Sequence, residues 1–276
     1  MSDAQPVMLS VVVPVYGCFD CLKELVVQLE ITLPIITNLY EIILIDDRSP
    51  DDSWLKICEL QHQHSRVKGI RLSRNYGQHI AITAGLAAAK GAYTVVMDCD
   101  LQDRPEEIEN LYNKTLEGYE VVLAKRKKRK DTIFKIAGSV LFYKILSYLS
   151  GIKQDPSVAN FGIYSKKVIG NVNSLAERIR YFPSMIKWLG FKSTAIEVVH
   201  ADRQVGKSTY NLRKLIKLAI EIILAYSDKP LIITMQLGFI ISLLSFISGV
   251  IYFIKWMNGE IIILGFASII ISIFFL

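Results

Sequence analysis

The sequence predicts an α/β domain built on a mostly parallel sheet flanked by helices, with helices able to enter a membrane behind it. Three observations carry this reading. Short Val- and Ile-rich runs alternate with segments of helical periodicity through the first 126 residues, the pattern of βαβ units. Polar and charged residues cluster where the apolar runs end, as they do where a parallel sheet binds its ligand. Finally, Leu231 to Ile254 contains no charged residue and is bracketed by Lys229 and Lys255.

Taken in order, "LSVVVPVY" (9–16) reads as a buried strand and "CLKELVVQLEITL" (21–33) as an amphipathic helix. "YEIILIDD" (40–47), "VKGIRLS" (67–73), "AYTVVMDCD" (92–100) and "YEVVLAKR" (119–126) are four further strands. Between them lie "DSWLKICELQHQ" (52–63), "GQHIAITAGLAAAKG" (77–91) and "RPEEIENLYNKTLEG" (104–118). The second of these is rich in small residues and suited to close packing on a sheet, and the third has Pro105 near its start. The strand ends present Pro14 and Tyr16, Asp46 and Asp47, Ser73 to Asn75, Asp98 and Asp100, and Lys125 and Arg126. No G-x-G-x-x-G follows the first strand and no P-loop motif occurs, which excludes the usual dinucleotide dehydrogenases and P-loop NTPases.

Beyond residue 131 the character changes. "TIFKIAGSVLFYKILSYLSG" (132–151) and "TYNLRKLIKLAIEIILAYSDKP" (209–230) are amphipathic, the latter with Arg213, Lys214 and Lys217 on its polar side. Such helices either lie in a membrane interface or pack on the globular core. Leu231–Ile254, at about 1.5 Å per residue, reaches about 36 Å and spans a hydrocarbon core of about 30 Å. Ile261–Leu276 is a second, short or truncated apolar run. The expected organisation is therefore a core over 1–131, a stretch with interfacial helices over 132–229, and an anchor over 230–276. The N-terminus lacks the pattern of a signal peptide, and basic residues crowd the near flank of the span, so the part ahead of the span is expected on the cytosolic side.

The chain carries a net charge of +6, and Lys125 to Lys130 form an unbroken basic run, "KRKKRK". Charge alone admits nucleic acid, anionic lipid or a phosphorylated ligand. No aromatic interleaving or reader motif accompanies the run, so nucleic acid is not an expected partner. Cys18, Cys21, Cys58 and Cys99 are expected to be reduced, buried or half-buried thiols, because "CFDC" has no second pair and no nearby histidine.

On an extended strand Asp98 and Asp100 share one side while Cys99 faces the other. Two carboxylates so close repel unless a cation neutralises them. A hard divalent ion, Mg²⁺ or Mn²⁺, suits them, with Gln102 able to add a carbonyl oxygen. The competing reading is a solvated turn or a helix cap.

Four stretches together make a resemblance specific: "SVVVPVY" (10–16), "EIILIDDRSPDDS" (41–53), "RLSRNYGQHIAITAGLAAAKG" (71–91) and "VVMDCDLQDRPEEI" (95–108). They resemble the successive motifs of family 2 glycosyltransferases of the GT-A fold. "FPSMIKWLGF" (182–191), "RQVGKSTY" (203–210) and "AYSDKPL" (225–231) are similar to the polyprenyl-phosphate subgroup, which includes dolichol-phosphate mannose synthases and bactoprenol glucosyltransferases. The resemblance implies that Asp98, Asp100 and Gln102 hold the metal on the donor diphosphate. It implies that Pro14, Tyr16, Asp46 and Asp47 line the nucleotide pocket, and that Arg126, Arg129 and Lys135 receive the lipid phosphate. Arg203, Ser208 and Tyr210 would close over the site.

Three departures stand out. Gly17 and Cys18 replace the usual Asn-Glu, "ANFG" (159–162) lacks the family's acid and Arg, and Thr209 stands where a Lys precedes the closing Tyr. They bear on the sugar and the acceptor more than on the reaction type. The resemblance thus implies inverting transfer of a sugar from a nucleotide diphosphate donor to a polyprenyl phosphate, with 1–131 the nucleotide-sugar-binding core and 132–229 the acceptor-side part. The membrane helices leave self-association open. A lipid-linked glycan hydroxyl is the alternative acceptor, and a non-catalytic membrane-tethered scaffold the alternative class.

Overall fold

The computed structural model describes residues 8–126, 147–151, 158–175, 180–199 and 227–259, with isolated positions at 220, 223, 265, 268 and 269. Its centre is one seven-stranded sheet. The strands are β1 (Leu9–Val15), β2 (Tyr40–Asp46), β3 (Val67–Arg71), β4 (Tyr93–Val96), β5 (Val121–Arg126), β6 (Val158–Ser165) and β7 (Ser193–Val198). In space they run β3-β2-β1-β4-β6-β5-β7. All are parallel except β6, which pairs antiparallel with both β4 and β5.

The helices are α1 (Phe19–Ile36), α2 (Ser53–Gln63), α3 (Gln78–Ala88), α4 (Glu107–Thr115), α5 (Lys166–Ser174), α6 (Phe182–Leu189) and α7 (Lys229–Met257). The first six cover both faces of the sheet, which explains the unbroken apolar runs of β1 and β2. Val11, Val13, Ile42, Leu44 and Val95 pack with Leu22, Leu25, Leu29, Ile57, Ile108 and Leu111 on one side. Val12, Ile43, Ile45 and Val96 pack with Ala81, Ile82, Val168, Ile169 and Met185 on the other. A Cβ placed on Gly85 would lie 2.5 Å from Val12 Cγ1 and 2.6 Å from Ile45 Cδ1, so the small residues of α3 do permit close approach.

The amino ends of the strands are tied by one buried carboxylate. Glu41 Oε1 accepts from Ser10 Oγ at 2.6 Å and from the Lys90 amide at 2.7 Å, and Oε2 accepts from Lys68 Nζ at 2.5 Å. Burial pushes the Glu41 pKa up, but these donors outweigh it and the net shift is downward.

The five predicted strands are present, and two more were not legible as strands. β6 and β7 come from the stretch read as acceptor-side helices, and β6 inserts between β4 and β5. Residues beyond 131 therefore complete the sheet itself. The C-terminal helix α7 is 29 residues long, free of charged residues between Lys229 and Lys255 and exposed on nearly every side, long and apolar enough to cross a membrane. The second apolar run, 261–276, lies almost entirely outside the described residues, as do most of 132–151 and 209–226.

Candidate active site

The strand order reverses at β1: β2 and β3 build away on one side, and β4 lies on the other. An open parallel sheet parts its loops at such a switch point and leaves a crevice beyond the carboxyl ends. Here the crevice is flanked by the loop after β1, with Tyr16 to Cys18, and the loop after β4, with Asp98 to Asp103. Both strands end within a few residues of those loops.

β4 forms its last pair at Val96, so Asp98 and Asp100 stand on a loop and not on the strand itself. The expected alternation nevertheless persists. Asp98 and Asp100 are half-buried, whereas Met97 and Cys99 point into the core. Leu101 has φ 59°, in the left-handed region, a conformation that costs a non-glycine residue of order 1 kcal/mol or more and gathers at functional loops. Local bonds hold the turn: Asp103 Oδ2 accepts from the Asp98 amide, and Asp100 Oδ1 from the Gln102 amide, both at 3.2 Å. Asp103 is buried and braces this loop, four residues ahead of α4.

A third side of the site comes from α3. Gln78 Nε2 donates to Asp98 Oδ1 at 2.5 Å. Gln78 is the first residue of the helix, placed there by Gly77, whose φ of 94° favours glycine. Asp47 fixes this loop from β2: its Oδ1 accepts from the Tyr76 amide and its Oδ2 from the Gly77 amide, both at 2.8 Å. Burial raises the Asp47 pKa, the two amides pull it back, and neighbouring Asp46 adds to the rise. Asp46 is fully buried; Oδ1 accepts from the Ser49 amide at 2.9 Å, and Oδ2 faces Arg71 Nε at 3.2 Å as an ion pair without hydrogen-bond alignment. Both acids therefore have protein partners that shape the β2 and α3 loops. Pro14 is buried in β1, whereas Tyr16 is half-exposed at the crevice.

His79, next to Gln78, packs edge-on against Tyr181 with ring centroids 4.5 Å apart. Its Nδ1 is buried without a hydrogen-bond partner, and burial pushes its pKa down to about 4. Gln78, Asp103 and His79 were absent from the sequence-derived site. Only the polar start of an otherwise small-residue helix hinted at the first.

The cysteines correct an expectation. Cys18 and Cys99 form a disulfide, joining the loop after β1 to the loop after β4, with Cα atoms 6.4 Å apart. The pairing of β1 with β4 brings together two residues 81 apart in sequence, something spacing along the chain does not reveal. Cys21 and Cys58 are free, as expected; burial raises the Cys21 pKa, followed by the charges of Asp100 and Asp20.

Asp98 and Asp100 offer hard oxygen donors, which suit Mg²⁺ or Mn²⁺. Among the described residues no group of three or more His, Cys, Asp or Glu side chains forms a cage. An ion held here would complete its shell with ligand oxygens and water, the usual habit of Mg²⁺ at phosphate sites. Arg126 closes β5, paired with Val198, but only its backbone is described. Arg129, Lys135, Arg203, Ser208 and Tyr210 lie outside the described residues.

A mixed, mostly parallel sheet with carboxylates at the switch point and helices on both faces is the architecture of the GT-A fold. A family model described as "Glycosyl transferase family 2" matches residues 10–170, and the chain belongs to that family. It is 36% identical, over 95% of its length and 81% of the relative's, to the uncharacterized glycosyltransferase YkcC of Bacillus subtilis. It is 34% identical, over 87% of its length and 74% of the relative's, to the undecaprenyl-phosphate 4-deoxy-4-formamido-L-arabinose transferase of Klebsiella pneumoniae. Among solved structures it resembles glucosyl-3-phosphoglycerate synthase of Mycobacterium tuberculosis in complex with Mn²⁺, UDP and phosphoglyceric acid. That likeness has a TM-score of 0.54 and 19% identity, covering 79% of this chain and 76% of the other.

Proposed function

We propose that this chain is a membrane-bound inverting glycosyltransferase that moves a sugar from a UDP- or GDP-sugar to polyprenyl (undecaprenyl) phosphate. It would act at the cytoplasmic face of a bacterial inner membrane. The observation that carries the reading is the placing of Asp98 and Asp100 at the switch point of a family 2 chain whose C-terminal helix is long enough to span a bilayer. The alignment with an undecaprenyl-phosphate transferase over 87% of the chain supports the lipid acceptor.

The nucleophile in this scheme is a phosphate oxygen of the lipid. A phosphate monoester has a second pKa near 6 and is mostly dianionic at neutral pH, so it needs orientation rather than deprotonation. Its oxygen attacks the anomeric carbon as the bond to the nucleoside diphosphate breaks on the opposite face. Asn160, in β6 at the same end of the sheet as Asp98, is neutral, in keeping with a reaction that needs no carboxylate base. Tyr16 and Pro14, with the loops shaped by Asp46 and Asp47, form the nucleotide side. Arg126, Arg129, Lys135, Arg203, Ser208 and Tyr210 would receive the lipid phosphate, guanidinium forks suiting a phosphate. Asp98 and Asp100, with Gln102 beside them, would hold Mg²⁺ or Mn²⁺, which when bound offsets negative charge on the leaving diphosphate.

Membranes containing the full chain, incubated with labelled UDP- and GDP-sugars, polyprenyl phosphate and either metal, test the reading. A lipid-phosphate sugar that disappears with Asp100→Ala is expected. Extension of a diphosphate-linked glycan with no lipid-phosphate sugar would shift the acceptor to a hydroxyl. No transfer with any donor, and a phenotype untouched by Asp100→Ala, would favour a scaffold.

A further inference from the structure

We propose that the Cys18–Cys99 pair is a reversible thiol–disulfide site that sets the affinity of the crevice for a metal–nucleoside diphosphate, the disulfide form binding tighter. The inference rests on the reading above for the ligand and for the cytosolic setting. The disulfide lies at the crevice itself. Cys99 is the residue between Asp98 and Asp100, and its side chain turns beneath the two carboxylates into the core. Cys18 follows Tyr16 and Gly17 on the opposite lip, one residue ahead of α1.

The Cys18 lip is itself anchored to the loop after β2. The Gly17 amide donates to Ser49 Oγ and the Cys18 amide to Ser53 Oγ, both at 3.2 Å. Ser49 in turn donates its amide to Asp46. The S–S bond thus connects the loops after β1, β2 and β4, the three that surround the switch point. It fixes the acids relative to Tyr16 while Leu101 sits in a left-handed conformation two residues away. Breaking the bond returns freedom to two loops that a metal–diphosphate must then order on binding, and such ordering weakens affinity.

Reversibility follows from compartment and access. A disulfide facing a reducing cytosol is usually transient, in catalysis or redox sensing. Cys99 is buried but Cys18 is only half-buried, so an external thiolate reaches the Cys18 sulfur first. A dithiol reductant of the thioredoxin type forms a mixed disulfide there and releases Cys99 as thiolate. Its second thiol then displaces Cys18. Two electrons and two protons pass to the protein, one S–S bond opens, two S–H bonds form, and the reductant closes its own disulfide.

The test uses the full chain in detergent or nanodiscs, equilibrated in oxidised and reduced dithiothreitol mixtures. Alkylation under denaturing conditions with mass detection should count two thiols in the oxidised chain and four in the reduced, with a reversible transition between them. Titration with UDP and with GDP, each with Mn²⁺, should give a Kd roughly three- to tenfold weaker in the reduced chain, the size expected when ordering a side chain or two moves to the binding step. Cys18→Ser and Cys99→Ser should both bind like the reduced chain and ignore reductant, whereas Cys21→Ser and Cys58→Ser should keep the response. Equal Kd values in both redox states, or a pair that never oxidises in the folded chain, would overturn the inference. If neither state binds either nucleotide, the donor reading fails by itself. Hydrogen exchange over residues 16–21 and 97–103 then decides the site: faster exchange on reduction upholds loop control by the pair, and unchanged exchange removes it.

Discussion

Asp47 offers a sharp test of how the site is held. Asp47→Ala deletes both acceptors that fix the loop ahead of α3, the Tyr76 and Gly77 amides, each 2.8 Å away. Hydrogen bonds to a charged group contribute roughly 1.5–3 kcal/mol apiece. The loop is partly open, so water recovers some of the loss, and burial already disfavours the charged carboxylate. A net cost of about 2–4 kcal/mol is expected. For a domain of this size that lowers the thermal midpoint by about 5–15 °C, read by intrinsic fluorescence in detergent. Asp47→Asn keeps one acceptor and should fall between parent and Ala. Because the folded pKa is raised, Asp47 contributes more stability in acid, and that part is lost as pH rises from about 4 through the folded value. The cost of Asp47→Ala should therefore shrink across that window. Gln78 begins the helix that Asp47 positions, so trypsin should also cut faster at Arg74. A midpoint within about 1 °C of the parent would show that the loop is held by something else.

At Gly85, a Cβ meets Val12 and Ile45 at 2.5–2.6 Å; Gly85→Ala should destabilise by about 1–3 kcal/mol in denaturant titration. Gly170→Ala, on a helix where a Cβ meets nothing within 4 Å, should instead stabilise by about 0.4–1 kcal/mol. His79, with its pKa down to about 4, stays neutral in the fold while the unfolded chain protonates near 6.5, so stability is lost as pH falls through that window, by a few kcal/mol at most. His79→Phe should flatten the urea midpoint between pH 7 and 5 while keeping the stack on Tyr181. Glu41, with its folded pKa lowered, contributes stability that is present above about 4.5 and lost below it. Glu41→Gln should remove this acid dependence and leave sugar transfer unchanged, because the network sits at the amino ends of the strands.

The strand–helix alternation, the acids at the strand ends and the apolar C-terminal helix are written locally. Each depends on residue type and a short period, and each was legible from residues such as Val95, Val96 and Asp98. The antiparallel β6 was not, because "VANFGIYS" becomes a strand through the slot it fills between β4 and β5. For the same reason the partners within the site came only from the fold. Asp46 and Asp47 looked like ligand-facing acids, yet their oxygens meet a serine amide, an arginine and two loop amides whose positions depend on how three strands align. Gln78 reaches Asp98 across 20 residues of chain, and Cys18 meets Cys99 across 81. Sequence alone determined the class of fold, the gathering of carboxylates beyond the strand ends and the segment fit for a membrane, because these follow from local chemistry. Tertiary structure decided which carboxylates brace loops and which thiols bond, because contact between distant residues is set by strand order and register.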